Sequence, residues 1–201
     1  MITGAGKGAG RALVEAFVER SAFVAANDIS PINVEQVVDG IIARGGKAKA
    51  YVKDVTKKVS AQALVKDVED DFSRIDILIN HAAVEPHTPL LNMDEWAWQR
   101  TLDLNLTGLF LMIQSVGRMM QAASPQGTSS KGNGMIINIV AGAGEGADAK
   151  REAGAYLSSK AGLAELSRQA DHELSPHGVH VYAVENSTNV VKHILSLMEA
   201  K

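Results

Sequence analysis

The chain has 201 residues, 46% of them hydrophobic and 21% charged, with a formal net charge of −3. That is enough apolar chain for one domain with a sizeable core, and it argues against global disorder. The charge balance gives no basic field for nucleic acid or anionic lipid, and the absence of cysteine excludes a disulfide framework, a zinc–thiolate site and a cysteine nucleophile.

In chain order, a glycine-rich start over 3–10 runs into a helix predicted for 11–20, with Leu13, Val14, Phe17 and Val18 on one stripe. A strand over 22–27, a helix over 33–44 and a strand over 48–52 come next. A helix over 59–72 and a strand over 75–80 complete the first half. Trp96 and Trp98 point to opposite sides of a helix or strand and read as packing residues. The long helix over 105–123 carries Leu106, Leu109, Phe110, Ile113 and Val116 at helical spacing, and Met112, Met119 and Met120 read mainly as core. A polar, breaker-rich loop over 124–133 leads to a strand over 135–140. The helix over 156–174 stops at Ser175-Pro176 and Gly178; a strand over 179–184 and a helix over 189–200 end the chain. The strands are nearly continuous in apolar residues, as expected when both faces are covered. Strand and helix in regular alternation predict an α/β fold, a doubly wound parallel sheet with helices on both faces, as a single dinucleotide-binding domain over 1–201. Ligands are then expected beyond the carboxyl ends of the strands.

No apolar stretch is long enough to span a bilayer, and no charged-then-apolar leader precedes the glycine motif, so a cytoplasmic protein is expected. The six histidines show no ligand-like clustering, and no metal site is expected.

Thr3-Gly4-Ala5-Gly6-Lys7-Gly8-Ala9-Gly10 before a helix suits backbone N–H groups that approach a pyrophosphate, with the helix N-terminus adding partial positive charge. Asp28, at the end of the next strand, can accept hydrogen bonds from ribose hydroxyls and repel a 2′-phosphate. That favours NAD(H) over NADP(H), although Lys7 beside the loop pulls the other way. Asp28 also reads as a capping acid ahead of Ser30-Pro31. Tyr156 and Lys160, four residues apart, share one helix face. An ammonium there stabilises a phenolate and tunes the tyrosine toward general acid–base work; the pair alone also reads as a solvated helix surface.

TGAGKGAG resembles the TGxxxGxG loop of the short-chain dehydrogenase/reductase family. Asp54-Val55 resembles the family's Asp-aliphatic pair near the adenine, and Asn80-His81-Ala82-Ala83 its NNAG, with His and Ala at the second and fourth positions. Asn105 in LDLNLTG and Tyr156-Leu157-Ser158-Ser159-Lys160 match its asparagine and its YxxxK. The wording around these motifs is similar to the 3-oxoacyl-carrier-protein reductase type. The resemblance implies a Rossmann fold and an NAD(P)-dependent oxidoreductase that moves hydride between nicotinamide and an alcohol or ketone. It implies Tyr156 as acid/base, Lys160 on the nicotinamide ribose, and Asn105 holding a relay water. Thr3, Gly4, Gly6, Lys7, Gly8, Gly10, Asp28, Asp54, Val55, Asn80 and Ala82, together with Tyr156 and Lys160, are the implied cofactor-binding set. A homodimer built on the 105–123 and 156–174 helices, or a homotetramer, is implied as well.

Three departures from the family pattern point to an alternative, a weakened or inactive dinucleotide-binding remnant. Ala141 stands where the family has a carbonyl-polarising serine, and no serine or threonine lies between Asn138 and Tyr156. Loss of such a donor costs about 100- to 1,000-fold in rate. Glu185-Asn186-Ser187 replaces the Pro-Gly turn over the nicotinamide, with the substrate lid and closing strand then absent. The chain also starts two residues before the loop, which implies a shortened central strand or a start further upstream.

Overall fold

Six parallel strands form one sheet in the order β3-β2-β1-β4-β5-β6. They are β1 (Ile2–Thr3), β2 (Val24–Asp28), β3 (Ala48–Val52), β4 (Ile77–Asn80), β5 (Gly134–Ala141) and β6 (Val179–Asn186). The helices are α1 (Gly8–Glu19), α2 (Pro31–Ile42), α3 (Lys58–Phe72), α4 (Glu95–Leu102), α5 (Leu109–Ala122), α6 (Gly154–Leu174) and α7 (Val190–Glu199). This computed structural model describes residues 1–123, 134–141 and 152–199. The loop expected over 124–133 lies outside the described residues.

Two apolar layers sandwich the sheet. One packs Leu13, Val14 and Phe17 of α1, Val34 and Val38 of α2 and Ile194 of α7 against Ile2, Ile79 and Ile137. The other packs Leu64 of α3, Met112 and Val116 of α5 and Leu163 of α6 against Leu78 and Ile136. Adjacent strand residues such as Leu78 and Ile79 therefore feed opposite layers, which is why the strands read as unbroken apolar runs. Met112 and Met120 are buried in the second layer, with half-buried Met119 against it.

The strand order reverses between β1 and β4, so a crevice opens there at the carboxyl ends. β1 has two residues, both buried, and pairs with β2 through Ile2–Ala26 and with β4 through Ile2–Ile79. The Met1 carbonyl extends that ladder by accepting from the Ile79 amide at 2.9 Å.

Several expected bounds shift. α1 begins inside the glycine loop, three residues earlier than predicted, and β6 runs on to Asn186 because it pairs with the whole of β5. The helix expected over 105–123 is not continuous: one π-helical turn over Asp103–Gly108 joins α4 to α5. Trp96 is 68% exposed rather than packed, with the Arg100 guanidinium 5.2 Å over its ring, because α4 lies at the surface. Among the described residues no strand lies beyond β6.

Candidate active site

The chain leaves β1 at Thr3, whose fully buried Oγ1 accepts from the His81 and Ala82 amides at 3.2 and 3.3 Å. This ties the glycine loop to the segment after β4. Gly10 lies so close to the loop that an added Cβ would sit 2.0 Å from the Gly4 carbonyl oxygen, while Gly4 itself backs onto Ala82. Gly8 has φ +56 and open space before it. Lys7 caps α1 with extended backbone and no side-chain hydrogen bond, and the first turn holds no acid. The positive end of α1 therefore faces an open cradle, and these residues fit a dinucleotide phosphate.

Asp28 closes the loop from the other side. Its Oδ2 accepts from the Gly6 amide at 2.9 Å and its Oδ1 from the Ser30 amide at 3.0 Å. Ser30, not Asp28, is the N-cap of α2, its hydroxyl oxygen accepting from the Asn33 amide at 3.4 Å. A carboxylate offers about four acceptor sites, so two remain for hydroxyls of a ligand. Asp54 Oδ1 accepts from the amide and hydroxyl of Thr56 at 2.9 and 2.7 Å, beside buried Val55.

At the other end stands α6. Tyr156 and Lys160 are 3% and 2% exposed. Lys160 Nζ donates to the Ile139 carbonyl at 2.6 Å and lies 5.9 Å from the Tyr156 ring centroid. The pair thus sits in the interior face of the helix, not on a solvated one. Burial pulls the Lys160 ammonium down to about 8, and the Glu85 carboxylate pushes back up. Asn105 is fully buried in the π-helical turn. Its Oδ1 accepts from the Val84 amide at 2.9 Å, and its Nδ2 donates to the Val84 carbonyl at 2.8 Å and to Ser159 Oγ at 3.1 Å. Ser159 in turn donates to the Tyr156 carbonyl at 2.7 Å. Asn105 therefore spends both amide protons on fastening the loop after β4 to the helix that carries Tyr156. π-Helical turns recur at functional sites because they re-aim a side chain inward.

One cavity of about 630 Å³ joins the two ends. Gly4, Lys7, Asp28 and Ala82 line it at the loop, Asp54 and Val55 beside β3, and Tyr156 and Lys160 at α6. Thr3, Gly10, Asn80 and Asn105 stand behind that lining and hold it. Asn80 donates to Asn138 Oδ1 at 2.8 Å in full burial. A larger hollow of about 960 Å³ between α3 and α5 holds none of the expected site residues. Ala141 ends β5 opposite Asn186, and Asn186 lines the cavity.

Sequence reasoning passed over three supports. Asn138 interrupts the apolar run of β5 and bridges Asn80 to Ser167 Oγ at 2.8 Å; an asparagine between isoleucines was its signal. Ser159, inside the YxxxK pattern, carries the link from Asn105 to Tyr156. His81 lies against the glycine loop, and the sequence alone shows nothing of that contact.

The sequence model described as short chain dehydrogenase matches residues 1–192. A 3-oxoacyl-[acyl-carrier-protein] reductase of Synechocystis sp. is 35% identical over 185 residues, covering 92% of this chain and 71% of that protein. A metagenomic short-chain oxidoreductase solved in complex with NADP superposes with a TM-score of 0.86 at 27% identity, over 100% of this chain and 90% of that one. An NAD⁺-bound xylitol dehydrogenase gives 0.81 at 26% identity, over 98% and 74%.

Proposed function

The chain belongs to the short-chain dehydrogenase family, and from that membership we propose which of its residues carry out the family's hydride transfer and with what preference. It is an NAD(P)-dependent oxidoreductase acting on small alcohols or ketones. The observation that carries our assignment is the single cavity with the uncapped end of α1 and Asp28 at one end, and buried Tyr156 and Lys160 at the other. The bound nicotinamide supplies or accepts the hydride. Backbone amides of the glycine loop hold the phosphates, Asp28 accepts from ribose hydroxyls, and Asp54 and Val55 flank the base. Lys160, fixed by the Ile139 carbonyl, presents its cation to Tyr156 and to the nearer ribose. Tyr156 Oη gives a proton to the substrate oxygen during reduction and takes it back during oxidation. Asn105 acts as a positioning residue for Tyr156 and the segment after β4. The remnant reading leans on Ala141 and on Glu185-Asn186-Ser187, of which Asn186 lines the cavity; Tyr156 and Lys160 in the same lining support the catalytic reading. NADH oxidation against a panel of ketones, and NAD⁺ reduction against sugar alcohols, tests the assignment; no turnover with any of them would return the remnant reading.

We assign NAD(H) as the preferred cofactor. NADH is expected to bind more tightly than NADPH, and Asp28→Ala to narrow the gap. Because Asp28 also anchors the Gly6 amide, the variant loses NADH affinity outright as well as discrimination. Calorimetric titration with both cofactors measures this; equal binding by the parent chain would mean that Lys7 governs.

All six strands share one sheet, which supports a single dinucleotide-binding domain. Among the described residues no helix is long and apolar enough to cross a membrane, and we place the protein in the cytoplasm. We also assign a homodimer, or a tetramer built from it, through α5 and α6. Phe110 on α5 and Leu157 on α6 are 41% and 38% exposed, and exposed Ala161 leaves room for a close helix. Sedimentation at micromolar concentration is expected to show at least a dimer, and a clean monomer would remove the assignment.

A further inference from the structure

We infer that His81 is a proton-linked part of the cofactor's phosphate site, so that dinucleotide binding takes up a proton on its imidazole. The inference rests on the cofactor-binding reading above and concerns this chain's own residue. The resemblance puts an asparagine, which cannot titrate, at this position.

The geometry is that of a ring wedged under the glycine loop. His81 Nδ1 lies 3.1 Å from the Gly4 carbonyl oxygen, and the His81 amide donates to Thr3 Oγ1 at 3.2 Å. A Cβ built on Gly4 or Gly10 would come 3.1 or 2.8 Å from the same Nδ1. The ring is therefore in contact with both ends of the loop that must hold the phosphates, and it also lines the cavity. A carbonyl partner fixes the proton on Nδ1 and leaves the Nε2 lone pair to accept one more.

The charged and titratable neighbours come from every element packed around the ring. Lys160 and Tyr156 stand on α6, Asp28 at the end of β2, Lys7 in the glycine loop and Glu85 on the segment that follows His81 itself. Burial and the Lys160 cation hold the imidazole neutral below its ordinary range, while the Gly4 carbonyl and Asp28 favour the charged form. Without a ligand the balance is against protonation. A diphosphate brings two negative charges to the loop that the ring touches, and that reverses the balance.

The phosphate raises the His81 pKa in the complex, so affinity is constant at pH values above the raised pKa. It tightens as pH falls through the window between the bound and free values, and levels off below the free value. One unit of upward shift makes NADH bind about tenfold more tightly across that window. Burial brings the Lys160 ammonium down to about 8, so binding is compared at pH 7 and below, where it keeps its charge.

The test is calorimetric titration of NADH at a series of pH values from 5 to 7 in buffers of different ionisation enthalpy, with the parent chain and with His81→Asn. The parent is expected to show an observed enthalpy that varies with buffer, corresponding to net proton uptake, and up to about tenfold tighter binding at the acidic end of the range than at pH 7. His81→Asn is expected to bind NADH with an affinity that does not tighten as pH falls over that range, and without proton uptake. Equal uptake in both chains, or none in the parent, overturns the inference while leaving cofactor binding intact. Failure of NADH to bind either chain overturns the cofactor reading itself. Should the variant fail to fold, NMR titration of the parent's six histidines answers directly. One imidazole must rise by about a pKa unit when NADH is added, and no such change overturns the inference.

Discussion

Tyr156→Phe is expected to lower kcat for ketone reduction by about 10²- to 10⁴-fold, the usual contribution of a positioned general acid. The ring is buried and packed in α6, so phenylalanine keeps its contacts and removes only the hydroxyl. NADH affinity and melting temperature are therefore expected to stay near the parent values, separating a chemical role from a structural one. Ala141→Ser belongs in the same experiment. It restores a hydroxyl at the end of β5, and a single donor to a developing alkoxide is worth at most about 10²- to 10³-fold. The gain is expected in kcat, since that donor acts where charge develops, and it is expected to vanish in the Tyr156→Phe background. NADH oxidation followed for the four proteins decides both points. An unchanged rate in Tyr156→Phe would remove Tyr156 as the acid. A silent Ala141→Ser alongside a damaging Tyr156→Phe would mean that residue 141 does not face the carbonyl.

Gly10→Ala is expected to abolish measurable dinucleotide binding and to destabilise the fold by about 1–3 kcal/mol, the range for forced overpacking. The methyl would meet the Gly4 carbonyl oxygen at 2.0 Å, and that atom is backbone, so no rotamer relieves the clash. Either α1 or the loop must move, and both carry the amides assigned to the phosphates. Gly8→Ala is the contrast. Its site is open, so the cost is the left-handed φ of +56, about 1–2 kcal/mol, without a clash. Thermal denaturation and NADH titration of the two variants separate the effects. Parent-like NADH binding by Gly10→Ala would overturn the assigned loop geometry.

Much of this site was legible because its signals are local. The spacing of glycines before a helix, an acid at the end of a strand and a lysine one turn after a tyrosine each follow from backbone geometry within a few residues. Strand positions were legible for the same reason, with errors of a residue or two where pairing rather than composition sets the end. Asn105 shows the opposite case. Its residue type was visible, but the π-helical turn that buries it depends on Val84 and Ser159, 21 and 54 positions away in sequence. Helical periodicity therefore predicted one smooth helix where the chain inserts a wider turn. Trp96 failed similarly, because exposure of a large aromatic is decided by where α4 settles on the surface. His81 was visible as a residue, but its contact with Gly4 joins positions 77 apart.

The fastening at Asn105 also governs how the cavity can move. One amide group grips both sides of Val84 and the serine that holds the Tyr156 carbonyl. The segment after β4 and the start of α6 therefore shift together or not at all, since separating them breaks buried hydrogen bonds at two places. Any motion that admits a substrate or releases a product must then leave these two segments joined, or break the buried hydrogen bonds between them.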